Sequence, residues 1–478
     1  MIARAERAAF AAVLLLLGAA SLALALHGNV EHQSFKAFYC AGVAVRGGHD
    51  PYLVEPLRAC ERRYEATQLP AGYVEPAPLP GYALAPFVVL SLLPMRAAAI
   101  LFALLLVLAA GAGAKCLSAS IRAPSAAILL ALTPLTLLNV AFGEIAPLAM
   151  LALCCAAYYL RNGRSRAAGV AVSFALLQPN VGFAAVLAML LLVPRARAAI
   201  ASTTGAFAIV SLAMLGVAGN AEYFFDVLPL MARAELPAAD QFSSSRLFYL
   251  AGASPGLAIL MAQLWFAISL SAGIILARAF ARAGQPDMVA LLPPAAVLLL
   301  GLYLHDVQIL IAVPAALVVT ARAPSPVFRA LGAAGVALLV AVWTQRADRA
   351  VIALDFAGVA GGLYAVLRGT LHRRLLLAAA GAAIATLCFV LVNTVAPSTT
   401  AADLHTHPFD AAPSAFAAAA WAKYLLATPA LRNMEFAPQI AAWSGLLILL
   451  ACALGSRLGQ TDANRRDGDL RAPLAVKL

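Results

Sequence analysis

Charged residues are scarce in this sequence. Only 12% of its 478 residues are Asp, Glu, Lys or Arg, whereas 63% are hydrophobic. Soluble domains are roughly one quarter charged and one half apolar, so water is not the main solvent of this chain. The composition argues against an attached soluble catalytic domain. Its Lys and Arg residues are dispersed in short loops, so the net charge of +11 indicates membrane orientation and no nucleic-acid partner.

Nucleotide-binding motifs are missing as well. The sequence has no phosphate-cradling Gly loop and no Rossmann fingerprint, so a soluble nucleotide-binding domain is not expected. The one cluster with metal-like spacing is formed by His405 and His407, with Asp403 and Asp410 nearby. A specific site needs three or four convergent ligands, and two alternate His residues are a weak signal. We therefore predict no metal and no cofactor.

Cysteine is rare, with seven residues in the chain. Five of them lie within or at the ends of apolar runs, where Cys behaves as a small buried hydrophobe. Cys40 and Cys60 instead lie in the first large polar segment. If that segment faces an oxidising compartment, a disulfide between them is possible.

Long apolar runs are abundant. Residues 8–26 and 375–395 approach the ~20 residues that cross a bilayer, and similar runs recur along the chain. The runs predict an all-α, polytopic transmembrane bundle of about 12–14 segments within residues 1–455, followed by a disordered cytoplasmic tail over 456–478. Basic loops place both termini in the cytoplasm and residues 27–82 in a first outer loop.

Two short breaks interrupt the apolar runs. Gln178-Pro179-Asn180 divides two runs that are each too short for a comfortable span, which predicts a hairpin of short helices. His305-Asp306 predicts a tight turn between residues 288–304 and 307–320. In the first outer loop, helix-like spacing of aromatic residues, ended by Gly47-Gly48, predicts an amphipathic helix on the membrane surface.

The first outer loop resembles a known family. Its pattern Ser-Phe-Lys-x-Phe-Tyr-x-Ala-Gly from Ser34, followed by Gly-Gly-x-Asp-Pro-Tyr from Gly47, is similar to the first periplasmic loop of glycosyltransferase family 87, whose members are integral membrane transferases of the type C fold. Further matches follow in the same order to about Pro314: Tyr82 to Pro94 with Pro86, Gly143-Glu144-x-x-Pro147, Gln178-Pro179, Ser243 to Leu247, and Tyr303-x-His305-Asp306.

The resemblance implies a reaction and its partners. A hexose, most commonly mannose, would pass from a polyprenyl-phosphate donor to a glycan, glycolipid or other envelope acceptor on the outer face of the inner, cytoplasmic membrane. Such a reaction needs a base for the acceptor hydroxyl and groups that hold the leaving phosphate. A non-enzymatic carrier of a lipid-linked sugar, a degenerate transferase and a structural subunit of an envelope-assembly complex are the alternative interpretations.

The chain departs from the family at the presumed base, because Ser34 stands where the family usually has Asp. Glu31, about one helical turn earlier, is the first substitute and Asp50 the second. Residues such as Asp50 in Gly-x-Asp-Pro-Tyr also commonly form turns. Glu144 and Gln178 stand where the family often shows Gln and Lys, so donor binding is expected to differ too.

Several other polar residues are candidates for the site. His305 and Asp306 lie at the predicted turn. His305 is a candidate catalytic or phosphate-binding group. The alternative interpretation is a helix-end His with Asp306 as the cap of the next helix. Lys36 and Arg246 are expected to bind the donor phosphate, unless they are solvated loop cations. Tyr39 completes the predicted substrate-binding set.

Overall fold

The computed structural model describes residues 2–27, 33–64, 74–238, 241–344, 347–395, 411–427 and 437–468. In these ranges the chain is helical, and its only β-structure is two isolated bridges. Within the described ranges, eight helices are long and apolar enough to cross a membrane, and six shorter helices are also apolar. The prediction of an all-α polytopic membrane protein is confirmed.

The helices are numbered in chain order. They are α1 (Ile2–His27), α2 (Gln33–Arg46), α3 (Val54–Glu61), α4 (Gly81–Leu90), α5 (Met95–Ile121), α6 (Ser125–Phe142), α7 (Ala146–Arg161), α8 (Ser165–Ser173), α9 (Pro179–Leu192), α10 (Arg197–Glu222), α11 (Leu228–Ala234), α12 (Ser244–Leu250), α13 (Pro255–Arg282), α14 (Met288–Val297), α15 (Val313–Arg322), α16 (Pro326–Val340), α17 (Arg349–Val366), α18 (Leu371–Val395), α19 (Ala417–Ala427) and α20 (Ala437–Gly468).

Burial separates the spanning helices into an inner and an outer set. In α6, 78% of the most apolar window is buried inside the protein, whereas the corresponding windows of α1 and α18 are each 17% buried. Apolar side chains that the protein leaves exposed must find another apolar solvent, and hydrocarbon supplies it. We therefore assign α6 to the bundle interior and α1 and α18 to the lipid-facing surface.

One face of the bundle is held together by a buried ion pair. The carboxylate of Asp287, before α14, is fully buried and accepts hydrogen bonds from both terminal nitrogens of Arg322 at the end of α15. Arg322 also donates to the carbonyl of Ser120 in α5, and Arg161 at the end of α7 lies 3.8 Å from Asp287. Since four helix ends meet here, we call this the Asp287 face.

The opposite face contains irregular backbone. A helix is predicted over residues 288–304, but α14 ends at Val297 and the chain then runs without helix to residue 305. Leu300 takes a positive φ of 57°, and the carbonyls of Leu300 and Gly301 accept the N–H of Ser244. Partners from another segment thus satisfy backbone groups that a longer helix would have paired internally, as irregular backbone within a bundle requires.

Two further segments differ from the sequence-based picture. Helix α2 has the predicted end at Gly47-Gly48, yet most of its side chains from Phe35 onward are buried by protein rather than half-exposed on a membrane surface. Helix α20 continues to Gly468, so residues 456–468 are helical where a disordered tail is expected. That stretch contains no Pro and several good helix formers, which lets the helix continue. Residues 469–478 lie outside the described ranges.

We predict that Arg322→Leu lowers the free energy of unfolding by about 3 kcal/mol, because it leaves the buried Asp287 carboxylate without its main partner. The double variant Asp287→Leu/Arg322→Leu should recover most of that loss, since a buried ion pair can be replaced by apolar side chains at little cost. Denaturant unfolding in detergent micelles measures both variants. Equal destabilisation of the single and double variants would contradict the role of this ion pair.

Candidate functional site

Helix α2 packs closely against the backbone of α4, on the side of the bundle opposite the Asp287 face. A Cβ atom on Gly42 would lie 2.4 Å from the carbonyl oxygen of Phe87, so only glycine allows this approach. At the end of α2, Arg46 donates to the carbonyl of Ser91. Tyr39 donates its hydroxyl proton to the carbonyl of Leu93 at 2.9 Å. These contacts fix the rotation of α2 and therefore the direction of its polar side chains.

A disulfide and two hydrogen bonds connect α2, α3 and the segment that follows α3. Cys40 in α2 is bonded to Cys60 in α3. The next residue, Glu61, is fully buried, and its carboxylate accepts the backbone N–H of Glu75 at 3.2 Å. The carboxylate of Glu75 in turn accepts the Ser34 hydroxyl proton at 3.3 Å. This ring of contacts returns to α2 and positions the Glu75 side chain beside Ser34.

A second carboxyl group reaches Ser34 from the turn between α6 and α7. Gly143 in that turn has φ of 76°, and a Cβ atom on it would lie 2.2 Å from the Cβ of Phe35. The absence of a side chain at Gly143 lets the turn lie directly against the start of α2. Glu144 is therefore within hydrogen-bonding reach of the Ser34 side chain.

The pKa of Glu75 is raised to about 8. Burial is the main cause, because a poorly hydrated carboxylate is less stable than the neutral acid. Lys36 and the Ser34 hydrogen bond oppose this shift, whereas the charges of Glu144 and Glu235 add to it. Burial also raises the pKa of Glu144, and His305 is the strongest opposing influence. We call Ser34, Lys36, Glu75, Glu144 and His305 the Ser34 cluster.

The backbone around His305 is fixed by the tip of the α8–α9 hairpin. Asn180 donates to the carbonyl of Tyr303 at 2.6 Å, and Gln308 donates to the side-chain oxygen of Gln178 at 2.9 Å. The backbone N–H of His305 donates to the side chain of Gln308 at 3.2 Å. The ring of His305 stands edge-on to Tyr303, with the ring centroids 5.2 Å apart. The hairpin therefore holds the imidazole in one orientation.

Arg246 is connected to the cluster through two glutamines. Its side chain is 2% exposed and donates to Gln439 at 3.1 Å, while Gln439 donates to the backbone carbonyl of Gln241 at 3.0 Å. The side-chain nitrogen of Gln241 lies 3.3 Å from Nε2 of His305 and 3.4 Å from the carboxylate of Glu235. Arg246 is thus a buried cation behind His305, rather than a solvated loop cation.

A mainly apolar pocket lies beside the cluster. Side chains of α6, α16 and α20 line it together with Phe242, Ile309 and the segment 341–344 after α16, and Asp306 and Thr344 contribute polar groups. The Thr344 hydroxyl donates to one carboxylate oxygen of Asp306, and the backbone N–H of Val307 donates to the other at 2.8 Å. Asp306 therefore caps the turn that follows it and also lines the pocket.

Comparison with known proteins decides the family. Residues 80–303 match the model of glycosyltransferase family 87. This part of the chain belongs to glycosyltransferase family 87. The predicted family is confirmed over these residues, and the match supports a membrane glycosyltransferase. No curated protein and no solved structure matches it significantly. The family match includes Glu144, Gln178 and Arg246, whereas α2 and Glu75 precede it.

The structure brings together most of the site residues predicted from the sequence. Lys36, Glu144 and His305 belong to the Ser34 cluster, and Asp306 is close enough to raise the pKa of Glu144. Gln178 joins them through Gln308.

Three predicted residues are placed elsewhere or are not described. Asp50 accepts the N–H of Tyr52 at 2.8 Å, forming the turn that its motif suggested, and lies near Glu222 rather than in the Ser34 cluster. The Tyr39 hydroxyl is directed to the Leu93 carbonyl. Glu31 and the His405–His407 group lie outside the described residues. Among the residues that are described, no three His, Cys, Asp or Glu side chains converge as a metal site.

Sequence analysis missed Glu75. This residue follows the segment 65–73 and precedes a proline-rich stretch, where neither helical periodicity nor a recognised motif marks it. Only its position in an outer loop beside aromatic and proline residues offered a signal, and many loop acids share that setting. Glu75 reaches the site only through the fold. The disulfide ties α3 to α2, the Glu61 carboxylate accepts the backbone N–H of Glu75, and the Glu75 carboxylate then accepts the Ser34 hydroxyl proton.

We predict that Gly143→Ala destabilises the protein by about 2 kcal/mol more than Gly163→Ala, because overpacking adds to the backbone strain. The two glycines have similar φ angles, 76° and 71°, but a Cβ on Gly163 would have no neighbour within 4 Å. Denaturant unfolding of the two variants in detergent measures the difference. Equal destabilisation would show that the contact of Gly143 with α2 contributes nothing.

We also predict that Glu75 remains protonated at neutral pH and titrates near pH 8. The infrared difference spectrum between wild type and Glu75→Gln should contain a protonated-carboxyl band that disappears as the pH rises through that midpoint. Glu55→Gln, in the same loop region, serves as the matched control because its carboxylate pairs with Arg58. A Glu75 midpoint near the ordinary value of 4.5 would contradict the prediction.

Proposed function

We propose that this glycosyltransferase moves a hexose, with mannose as the first candidate, from a polyprenyl-phosphate donor to an envelope glycan or glycolipid. The observation that carries the proposal is the Ser34 cluster, in which two carboxyl groups, a lysine and a histidine lie together at one face of an apolar bundle. A sugar transfer from a lipid phosphate needs a proton acceptor and phosphate-binding cations at the membrane boundary.

We further propose that the cluster faces the outer side of the cytoplasmic membrane and that both termini are cytoplasmic. The Cys40–Cys60 disulfide supports this orientation, because disulfides persist in oxidising compartments and are rare in the cytosol. The arginines of the opposite, Asp287 face give independent support from the positive-inside rule. A lipid-linked donor is already present in that membrane, whereas nucleotide sugars are cytoplasmic.

The reaction we propose is a single displacement. The acceptor oxygen attacks the anomeric carbon, the bond from that carbon to the phosphate oxygen breaks, and polyprenyl phosphate leaves with the electron pair. A carboxylate of the cluster takes the acceptor proton. Lys36 and His305 hold the developing phosphate charge, and Arg246 supports His305 through Gln439 and Gln241. The polyprenyl phosphate is itself the leaving group, so the proposal requires no cofactor.

The mainly apolar pocket supports a lipid donor. Apolar side chains of α6, α16 and α20 contribute to its lining. Of its polar side chains, Asp306 is the residue after His305, and Thr344 lies in the segment that follows α16. The first isoprene units of the donor would bury apolar surface there, while the phosphate stays near His305. We propose that this pocket receives the end of the polyprenyl chain next to the phosphate.

A non-enzymatic carrier would be favoured by charged groups at mid-membrane depth. Asp355 in α17 is the nearest candidate, and its carboxylate accepts the N–H of Val342 at 3.1 Å. Val342 lies just after the end of α16, so Asp355 satisfies a backbone group that the end of that helix leaves unpaired. This structural role gives no support to the carrier alternative.

The test is transfer by the purified protein in lipid vesicles supplied with labelled polyprenyl-phosphate mannose and an envelope acceptor fraction, and then with other polyprenyl-phosphate hexoses. We expect transfer by wild type. Lys36→Gln should raise KM for the donor by about 10-fold to 100-fold, the value of a hydrogen bond to a charged group. Lys423→Gln is the matched control, because Lys423 is an exposed lysine of α19.

Two outcomes would count against the proposal. Donor binding without transfer from any of these lipids would favour the carrier interpretation. An unchanged donor KM in Lys36→Gln, with wild type active, would remove Lys36 from the phosphate site while leaving the transferase assignment intact.

A further inference from the structure

We propose that Glu75 is the general base of this site and replaces the carboxylate that the chain lacks at Ser34. The inference rests on the proposed transferase function and adds a catalytic residue to it. It arises from the three-dimensional contacts, because Glu75 and Ser34 are 41 residues apart in the chain and 3.3 Å apart in the structure.

The position of Glu75 favours it as the base. Ser34 Oγ donates to Oε1 of Glu75 at 3.3 Å, so the Glu75 carboxylate lies beside the space that a carboxylate at position 34 would occupy. The backbone of Glu75 is anchored by the buried Glu61 carboxylate, which is next to the Cys40–Cys60 disulfide. Glu75 itself is half-buried, which leaves part of its surface open to an incoming hydroxyl group. Glu61 is fully buried and cannot meet an acceptor.

Glu75 and Glu144 differ in their contact with the Ser34 hydroxyl. Both carboxyl groups are within hydrogen-bonding reach of the Ser34 hydroxyl, but a hydroxyl has one proton to donate. In the structure this proton is donated to Glu75 at 3.3 Å. Two carboxyl groups in one site do not readily ionise together, because the second negative charge is opposed by the first. The Ser34 hydrogen bond stabilises the ionised form of Glu75, which increases as the pH approaches 8 and is the form that can accept a proton.

The surroundings of the acids also favour Glu75 as the base. Lys36 stabilises the charge on Glu75 and is also our proposed ligand for the donor phosphate, which places Glu75 near the anomeric carbon. Glu235, by contrast, accepts the indole N–H of Trp421 at 2.6 Å and the side chain of Gln241. Asp306 accepts Thr344 and the backbone of Val307. Glu75 is therefore the carboxylate best placed to meet an acceptor hydroxyl.

The proton balance is complete. The acceptor hydroxyl gives its proton to the Glu75 carboxylate as its oxygen bonds to the anomeric carbon, and the phosphate leaves with the electrons of the broken bond. Neutral Glu75 returns the proton to water when the products leave. The groups that face Glu75 are Ser34, Lys36, Glu144, Glu235 and, at its backbone, Glu61. With a pKa of about 8, the active, ionised form of Glu75 increases with pH across the neutral range.

The experiment uses the full-length protein in vesicles and the donor that wild type accepts best. Glu75→Gln should lower kcat by about 100-fold or more and leave the donor KM nearly unchanged, because the lost group acts on the acceptor proton. The double variant Ser34→Asp/Glu75→Gln restores a carboxylate beside the position of the lost one and should regain about 10-fold or more over Glu75→Gln. Glu55→Gln removes a half-exposed carboxylate of the same loop region and is the matched control.

A wild-type measurement keeps the test independent of folding. The value of kcat/KM should rise with pH to a midpoint near 8, because the base must be ionised in the free enzyme. If Glu75→Gln fails to fold, a wild-type rate that does not change between about pH 6 and pH 9 overturns the proposal. A folded Glu75→Gln protein with kcat within about threefold of wild type overturns it as well, and so does failure of the double variant to recover activity.

The experiments distinguish a wrong transferase function from a wrong assignment of the base. If wild type transfers nothing from any polyprenyl-phosphate hexose, the proposed function itself is wrong. If wild type transfers sugar and Glu75→Gln does too, only the assignment of the base is wrong.

Discussion

The packing of α2 against α4 and the α6–α7 turn is the constraint on which the rest of the site depends. This helix is 14 residues long and is not one of the spanning helices, so contacts with its neighbours must hold it in place. Gly42 and Gly143 allow α4 and the α6–α7 turn to touch its backbone at distances that no side chain would permit. Ser34 and Lys36 thereby point at residues contributed by much later parts of the chain.

The Cys40–Cys60 disulfide extends this constraint to Glu75. By tying α3 to α2, it places Glu61 where its carboxylate can hold the backbone of Glu75. Burial then opposes ionisation of Glu75 and Glu144, and their mutual repulsion strengthens the effect. Lys36 and His305 act in the opposite direction. The same low hydration that raises these pKa values also strengthens every electrostatic contact that a charged phosphate would make there.

Several parts of this arrangement were predictable from local sequence. The Gly47-Gly48 end of α2, the hairpin broken at Gln178 and the turn at His305 follow from residues that act on their immediate neighbours. The early end of α14 was not predictable from local sequence. It depends on the backbone N–H of Ser244, which donates to the carbonyls of residues 300 and 301. Glu75 was missed for the same reason: its partner Ser34 is distant in the sequence.

The sequence by itself determined that the chain is an all-helical membrane protein, since apolar runs of bilayer length have no stable alternative to a helix in hydrocarbon. Its ordered motifs also identified the glycosyltransferase family, and the match over residues 80–303 confirms this identification. Only the tertiary structure decided which acids share the site. A carboxylate acquires its neighbours, its hydration and its pKa from the packing of distant segments, and the contacts of Glu75 and Asp50 follow from that packing rather than from their local motifs.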